Sequence, residues 1–119
     1  MRVCSYLENG ERRLGLLRSD AVVPVAALDA AMPNELSDIL RREGGLEALK
    51  ALDAKANASD GMSLAALTLD LPARGSGKIF CLGLNYAAHA AEGGHAKPEY
   101  PSFFMRGETS FTAPGQPIV

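Results

Sequence analysis

Among residues able to do chemistry, His89 and Glu92 have the most informative spacing. They stand three apart in the stretch KIFCLGLNYAAHAAEGG (78–94), between Asn85, read as a helix cap, and Gly93-Gly94, read as a helix stop. Residues three apart share a helix face. The remaining helical positions are Ala87, Ala88, Ala90 and Ala91, which leave the imidazole and carboxylate as the reactive groups of a bare surface. Histidine is the side chain whose ordinary pKa lies nearest neutrality, and a carboxylate beside it orients the ring and favours the imidazolium. This is the arrangement of a general base and its orienting partner. The same spacing on an exposed helix also serves as an ion pair worth a few tenths of a kcal/mol, and spacing alone does not separate the two.

Other candidates carry less. His95 follows His89 by six residues, past two glycines, which matches no zinc-ligand spacing and reads as loop. The glycines form neither a dinucleotide fingerprint nor a phosphate loop, and no Gly-x-Ser-x-Gly elbow is present. Glu99 and Glu108 are isolated, so no metal site is argued from these 119 residues. Cys4 and Cys81 sit in apolar stretches and read as reduced core thiols, with a single disulfide as the alternative.

The elements that position these residues begin with a small antiparallel meander. Residues 2–7 are rich in strand formers, Asn9-Gly10 signals a tight hairpin, and Leu14 and Leu16 share a face of the returning strand. Ser19-Asp20 makes a second turn before a strand over residues 21–25, where Pro24 demands an edge or an end. Pro33-Asn34 reads as the start of a helix carrying Leu36, Ile39 and Leu40, stopped at Gly44-Gly45. A second helix from about Leu46 carries Leu49 and Leu52 and fades over residues 55–58. The fold class is α+β, with residues 1–72 as an amino-terminal domain and 73–119 as the start of another. Pro-Ala-Arg-Gly-Ser-Gly (72–77) supplies the boundary.

Beyond it, the apolar run Ile79–Leu84 reads as a strand buried on both faces, which needs neighbours on each side. The following residues include Pro98, Pro101, Pro114 and Pro117 and are poorly suited to supply them. The second part therefore reads as truncated.

Composition is that of a globular protein, with 47% hydrophobic and 22% charged residues and a net charge of −2. The basic residues are scattered and aromatics make up only 6%, which argues against a nucleic-acid partner. No apolar leader or membrane-length run is present, so a cytoplasmic location is expected.

From Lys78 onward the sequence resembles the entry to the catalytic domain of the fumarylacetoacetate hydrolase family. Members read as a buried strand followed by Gly-x-Asn-Tyr-x-x-His-x-x-Glu, here Gly83, Asn85, Tyr86, His89 and Glu92. A Phe-x-Lys or Phe-x-Arg element then matches Phe104 and Arg106, and a Gly-x-Pro-Ile turn matches Gly115, Pro117 and Ile118. The preceding meander and helices look like the small amino-terminal domain that many members carry.

The resemblance implies a mixed β-roll catalytic domain and a homodimer. It also implies Mg²⁺ or Mn²⁺, sometimes Ca²⁺, held by three acidic side chains that residues 1–119 do not supply. It implies small 2-oxo or diketo acid substrates and a mobile lid bearing His89 as base with Glu92 as its partner. Asn85 and Tyr86 become candidate substrate contacts. Arg106 stands where many members have lysine and suits either a substrate carboxylate or a structural ion pair. The expected reaction is hydrolytic C–C cleavage of diketo acids or acylpyruvates by the parent protein, the 119 residues alone being inactive. The close alternative is isomerisation or decarboxylation of 2-hydroxymuconate-type dioates. A rival of another class is a non-catalytic assembly or binding module, which a stop codon after Val119 would favour, whereas a Glu-x-Glu within the next few dozen codons would favour the enzyme.

Overall fold

A computed structural model describes every residue except Ser76, Lys97 and Val119, so one residue of the 72–77 stretch lies outside the described residues. Contacts group the chain into two units, Met1–Gly75 with Phe111–Val119, and Ser76–Ser110. Helices and strands are mixed in an α+β arrangement.

The first unit is built on β1 (Val3–Glu8) and β2 (Glu11–Arg18), closed by a two-residue turn in which Glu8 pairs with Glu11. Asn9 and Gly10 both take positive φ, +53° and +80°, as this turn requires. β3 (Ala21–Pro24) returns along β2 and ends on its proline, as the missing N–H dictates. With β4 (Met62–Ser63) and β5 (Thr68–Asp70) these strands form an antiparallel sheet of order β4-β3-β2-β1-β5.

Alternation along β2 and β3 sends Leu14, Leu16 and Val23 to one face. There they pack with Val25 of α1 (Val25–Leu28), Ile39 of α2 (Leu36–Arg41) and Leu49 and Leu52 of α3 (Gly45–Lys55). On the other face Tyr6 and Val22, both buried, close over the bare Cα of Gly15.

Three expectations are corrected in the helices. α2 starts after Glu35, not at Pro33-Asn34, and Glu35 makes no side-chain cap because its carboxylate is taken by Arg12. The helix is only six residues long and leaves Leu40 exposed, so its stripe reduces to Leu36 and Ile39. The last residue of the strand expected over 21–25, Val25, opens α1 instead. Both cysteines are free, which removes the disulfide alternative, and burial pushes the Cys4 thiol up.

The second unit contains β6 (Ile79–Gly83), α4 (Ala87–Glu92) and β7 (Ser102–Arg106). β6 pairs antiparallel with β7, from Ile79 opposite Arg106 to Gly83 opposite Ser102. The expectation of a strand buried on both faces is not met. β6 alternates between half-buried and exposed, and all of β7 is exposed. The physical reason is that, among the described residues, β6 pairs with β7 alone, and a strand of a two-stranded ribbon lacks the neighbours on each side that such burial requires.

Candidate active-site helix

The segment that carries the candidate pair turns sharply between Gly83 and Ala87. Leu84 sits there at φ +50°, a left-handed conformation that costs a β- or γ-branched residue energy and has no sequence signal. Helix α4 then begins with Tyr86 at its N-cap, not Asn85, and neither side chain caps it. The Tyr86 carbonyl accepts the Ala90 N–H at 3.0 Å. At the other end the Gly94 N–H donates to Ala91 (3.0 Å) and the His95 N–H to Ala90 (2.8 Å). With Gly94 at φ +68° this is a Schellman closure, so Gly93-Gly94 stop the helix as their composition demands.

His89 and Glu92 lie in α4, both exposed. Among the described residues no hydrogen bond or ion pair joins them. Neighbours at this spacing have Cβ atoms roughly 5–6 Å apart, so a change of rotamer suffices to bring the two groups together. Ala90 is the buried residue of the helix.

A cleft of about 500 Å³ lies in the second unit, lined by Leu82, Leu84, Asn85, Ala90, Glu99 and Tyr100, among others. Ala87 and Ala90 both face it. At 100° per residue the His89–Glu92 direction lies roughly 160° around the helix from the Ala87–Ala90 direction. The pair and the cleft therefore use opposite faces of α4. Of the other expected site residues, Asn85 lines the cleft and Tyr86 is exposed. Arg106 ends β7, exposed, with no ion pair among the described residues. Glu99 and Tyr100 on the cleft wall were not singled out as a pair by sequence reasoning, since neither has a partner at a telling spacing.

Among the described residues no group of three or more His, Cys, Asp or Glu could hold a metal ion. The described residues therefore do not fit the divalent ion that the family resemblance implies. No helix among the described residues is long and apolar enough to cross a membrane.

Fold and site define an α+β unit followed by a strand–helix–strand segment that turns a His–Glu face to solvent. Residues 78–119 match the fumarylacetoacetate (FAA) hydrolase C-terminal family. The whole chain is 26% identical, over 123 residues, to a fumarylacetoacetate hydrolase domain-containing protein 2 homolog of Dictyostelium discoideum, covering 40% of that protein. It is 28% identical over 119 residues to the 2,4-didehydro-3-deoxy-L-rhamnonate hydrolase of a Sphingomonas strain, covering 38% of it. A 42-residue stretch, 35% of this chain, is 48% identical to an oxaloacetate tautomerase of Caenorhabditis elegans, covering 20% of that protein. The match to the fumarylacetoacetate hydrolase family thus falls on residues 78–119, and the chain as a whole is similar to part of proteins named as hydrolases or for that family's domain. It spans about 40% of the length of the curated relatives it matches end to end.

Proposed function

We propose that this chain is part of a metal-dependent enzyme that acts on 2-oxo or diketo acids, with hydrolytic C–C cleavage as its reaction. The supporting observation is the His89–Glu92 face of α4, exposed and unobstructed by packing, inside the segment that matches the family. In this reading His89 accepts a proton from the attacking water, and Glu92, after a rotamer change, orients the ring and stabilises the imidazolium. Arg106, with no ion pair among the described residues, is assigned to a substrate carboxylate through its planar fork. Asn85 and Tyr86, at the entry to α4, are assigned to substrate contacts. The proposed scaffold is a β-roll in which β6 and β7 gain further strands, in a homodimeric cytoplasmic protein. Mg²⁺, Mn²⁺ or Ca²⁺ would be held by side chains other than the described ones.

A second reading is favoured by one observation. The relative that shares 48% identity over 42 residues is named a tautomerase, and tautomerisation uses the same base without attacking water. The corresponding proposal is isomerisation or decarboxylation at an enolisable 2-oxo acid.

The test is the protein encoded by the complete gene, carrying His89→Ala or Glu92→Gln and assayed on acylpyruvates and on oxaloacetate enol–keto exchange. His89→Ala should lower kcat by about 10²–10⁴-fold, the usual worth of a positioned base. Glu92→Gln should lower it less. A His89→Ala protein that keeps the wild-type rate on every substrate rejects the assignment of the base. Which substrate is turned over decides between the two reactions.

A further inference from the structure

Residues 71–75 (Leu-Pro-Ala-Arg-Gly) have no regular secondary structure and a composition typical of a flexible connection. Their polar backbone tells otherwise. The Leu71 carbonyl accepts Arg12 Nη2 at 3.0 Å, the Pro72 carbonyl accepts Ser5 Oγ at 3.1 Å, and the Gly75 carbonyl accepts Arg41 Nη2 at 2.8 Å. The donors come from three different elements of the first unit: β2, β1 and α2. Immediately upstream, Asp70 takes the Leu71 N–H at 2.7 Å, Arg74 Nη2 at 2.9 Å and Arg12 Nη1.

Arg12 is the centre of this arrangement. Its Nε and Nη2 hold the two oxygens of Glu35, its Nη1 holds Asp70, and Nη2 also reaches Leu71. Four bonds in three directions from one planar group are within reach of a guanidinium and beyond a lysine ammonium. Ser5 and Asp70 are buried and the Arg12 side chain is 12% exposed, so these bonds are shielded from competing water.

We propose that residues 71–75 are a fastened seat and not a tether, with Arg12 as the positioning residue that fixes where the polypeptide leaves the first unit. The rigid part of that unit extends through Gly75, and the segment leading to His89 starts from a set point. This inference is independent of what His89 does.

The test is ¹⁵N relaxation on the isotopically labelled chain. In the wild type the amides of Leu71, Ala73, Arg74 and Gly75 should have order parameters near those of β5 and α3, about 0.85. Arg12→Lys, which keeps the charge and loses the fork, should drop them below about 0.6 while Leu14 and Leu49 amides stay unchanged. Arg41→Ala, an exposed change that the core does not feel, should loosen Gly75 alone. Should Arg12→Lys fail to fold, Arg41→Ala and Ser5→Ala still report on their own carbonyls. Wild-type values below about 0.6 across 71–75, or unchanged values in every folded variant, overturn the proposal.

Discussion

Gly15 offers the most quantitative test of the sheet. A Cβ added there would lie 2.2 Å from Val22 Cγ1 and 3.3 Å from Tyr6 Cε1, while carbon atoms rest comfortably at roughly 3.5–4.0 Å. Val22 and Tyr6 are 0% and 1% exposed, and valine is stiff about χ1, so neither yields freely. Gly15→Ala narrows the unfolded ensemble, a gain of about 0.4–1 kcal/mol. Overpacking costs about 1–3 kcal/mol and wins, leaving a net loss of about 1–2 kcal/mol. Val22→Ala removes two methyl groups from the same spot and costs about 2 kcal/mol by transfer and cavity terms. In the double variant the new methyl occupies part of the vacated space. Its loss should fall short of the sum of the single losses by about 1–2 kcal/mol, a coupling typical of touching residues. Urea denaturation read by far-UV circular dichroism gives the four midpoints, with slopes of about 1–3 kcal/mol per molar. Gly15→Ala at wild-type stability, or additivity within about 0.5 kcal/mol, refutes the packing of Tyr6 and Val22 over Gly15.

Three further outcomes are expected. Burial alone would raise the Asp70 carboxyl, but the Leu71 N–H and the Arg12 and Arg74 guanidinium groups outweigh it and hold it below the usual carboxylate range. A depressed folded pKa contributes stability that is complete above the unfolded value, near 4, and is lost as pH falls through the folded one. Asp70→Asn should therefore cost about 3 kcal/mol at pH 7 and less at pH 2, measured by urea melts at both; an equal loss at the two pH values refutes it. Mg²⁺ should leave the melting temperature of the 119-residue chain unchanged, since no ligand cluster exists among the described residues; a clear rise reveals one. The ribbon exposes Phe80 (70%), Phe103 (65%) and Met105 (61%), so sedimentation should show concentration-dependent self-association that Phe103→Lys reduces; a wild-type monomer throughout counts against it.

Much of the first unit is legible because its signals are local. Asn9-Gly10 can close only one kind of turn, Pro24 can only end a strand, and Leu49 and Leu52 mark the buried face of α3. What escapes is long-range. Nothing near Glu35 in sequence reveals that Arg12, 23 residues away, removes its carboxylate from capping duty. Gly15 reads as a weak point in a strand until Tyr6 and Val22 are found packed over it. In β6 the apolar run correctly signals a strand, but burial depends on layers that sequence periodicity does not count.

The site shows the same division with a mechanistic consequence. The shared face of His89 and Glu92 follows from spacing, as does the stop at Gly93-Gly94; the turn at Leu84 and the uncapped start at Tyr86 do not. Ala90 is the buried residue of α4, so lifting the helix from its support exposes little more than one methyl group, a cost of about 1 kcal/mol. A helix held this lightly reorients at little cost, whereas an imidazole and carboxylate fixed in a packed core would not. Contacts to a bound substrate, in the proposed reading, supply the small energy that turns the helix, a rotamer change then bringing ring and carboxylate together, and Ala90→Gly, which weakens the support further, should raise KM more than it lowers kcat in the protein encoded by the complete gene. A kcat loss with KM unchanged would show instead that α4 is already set in its working position.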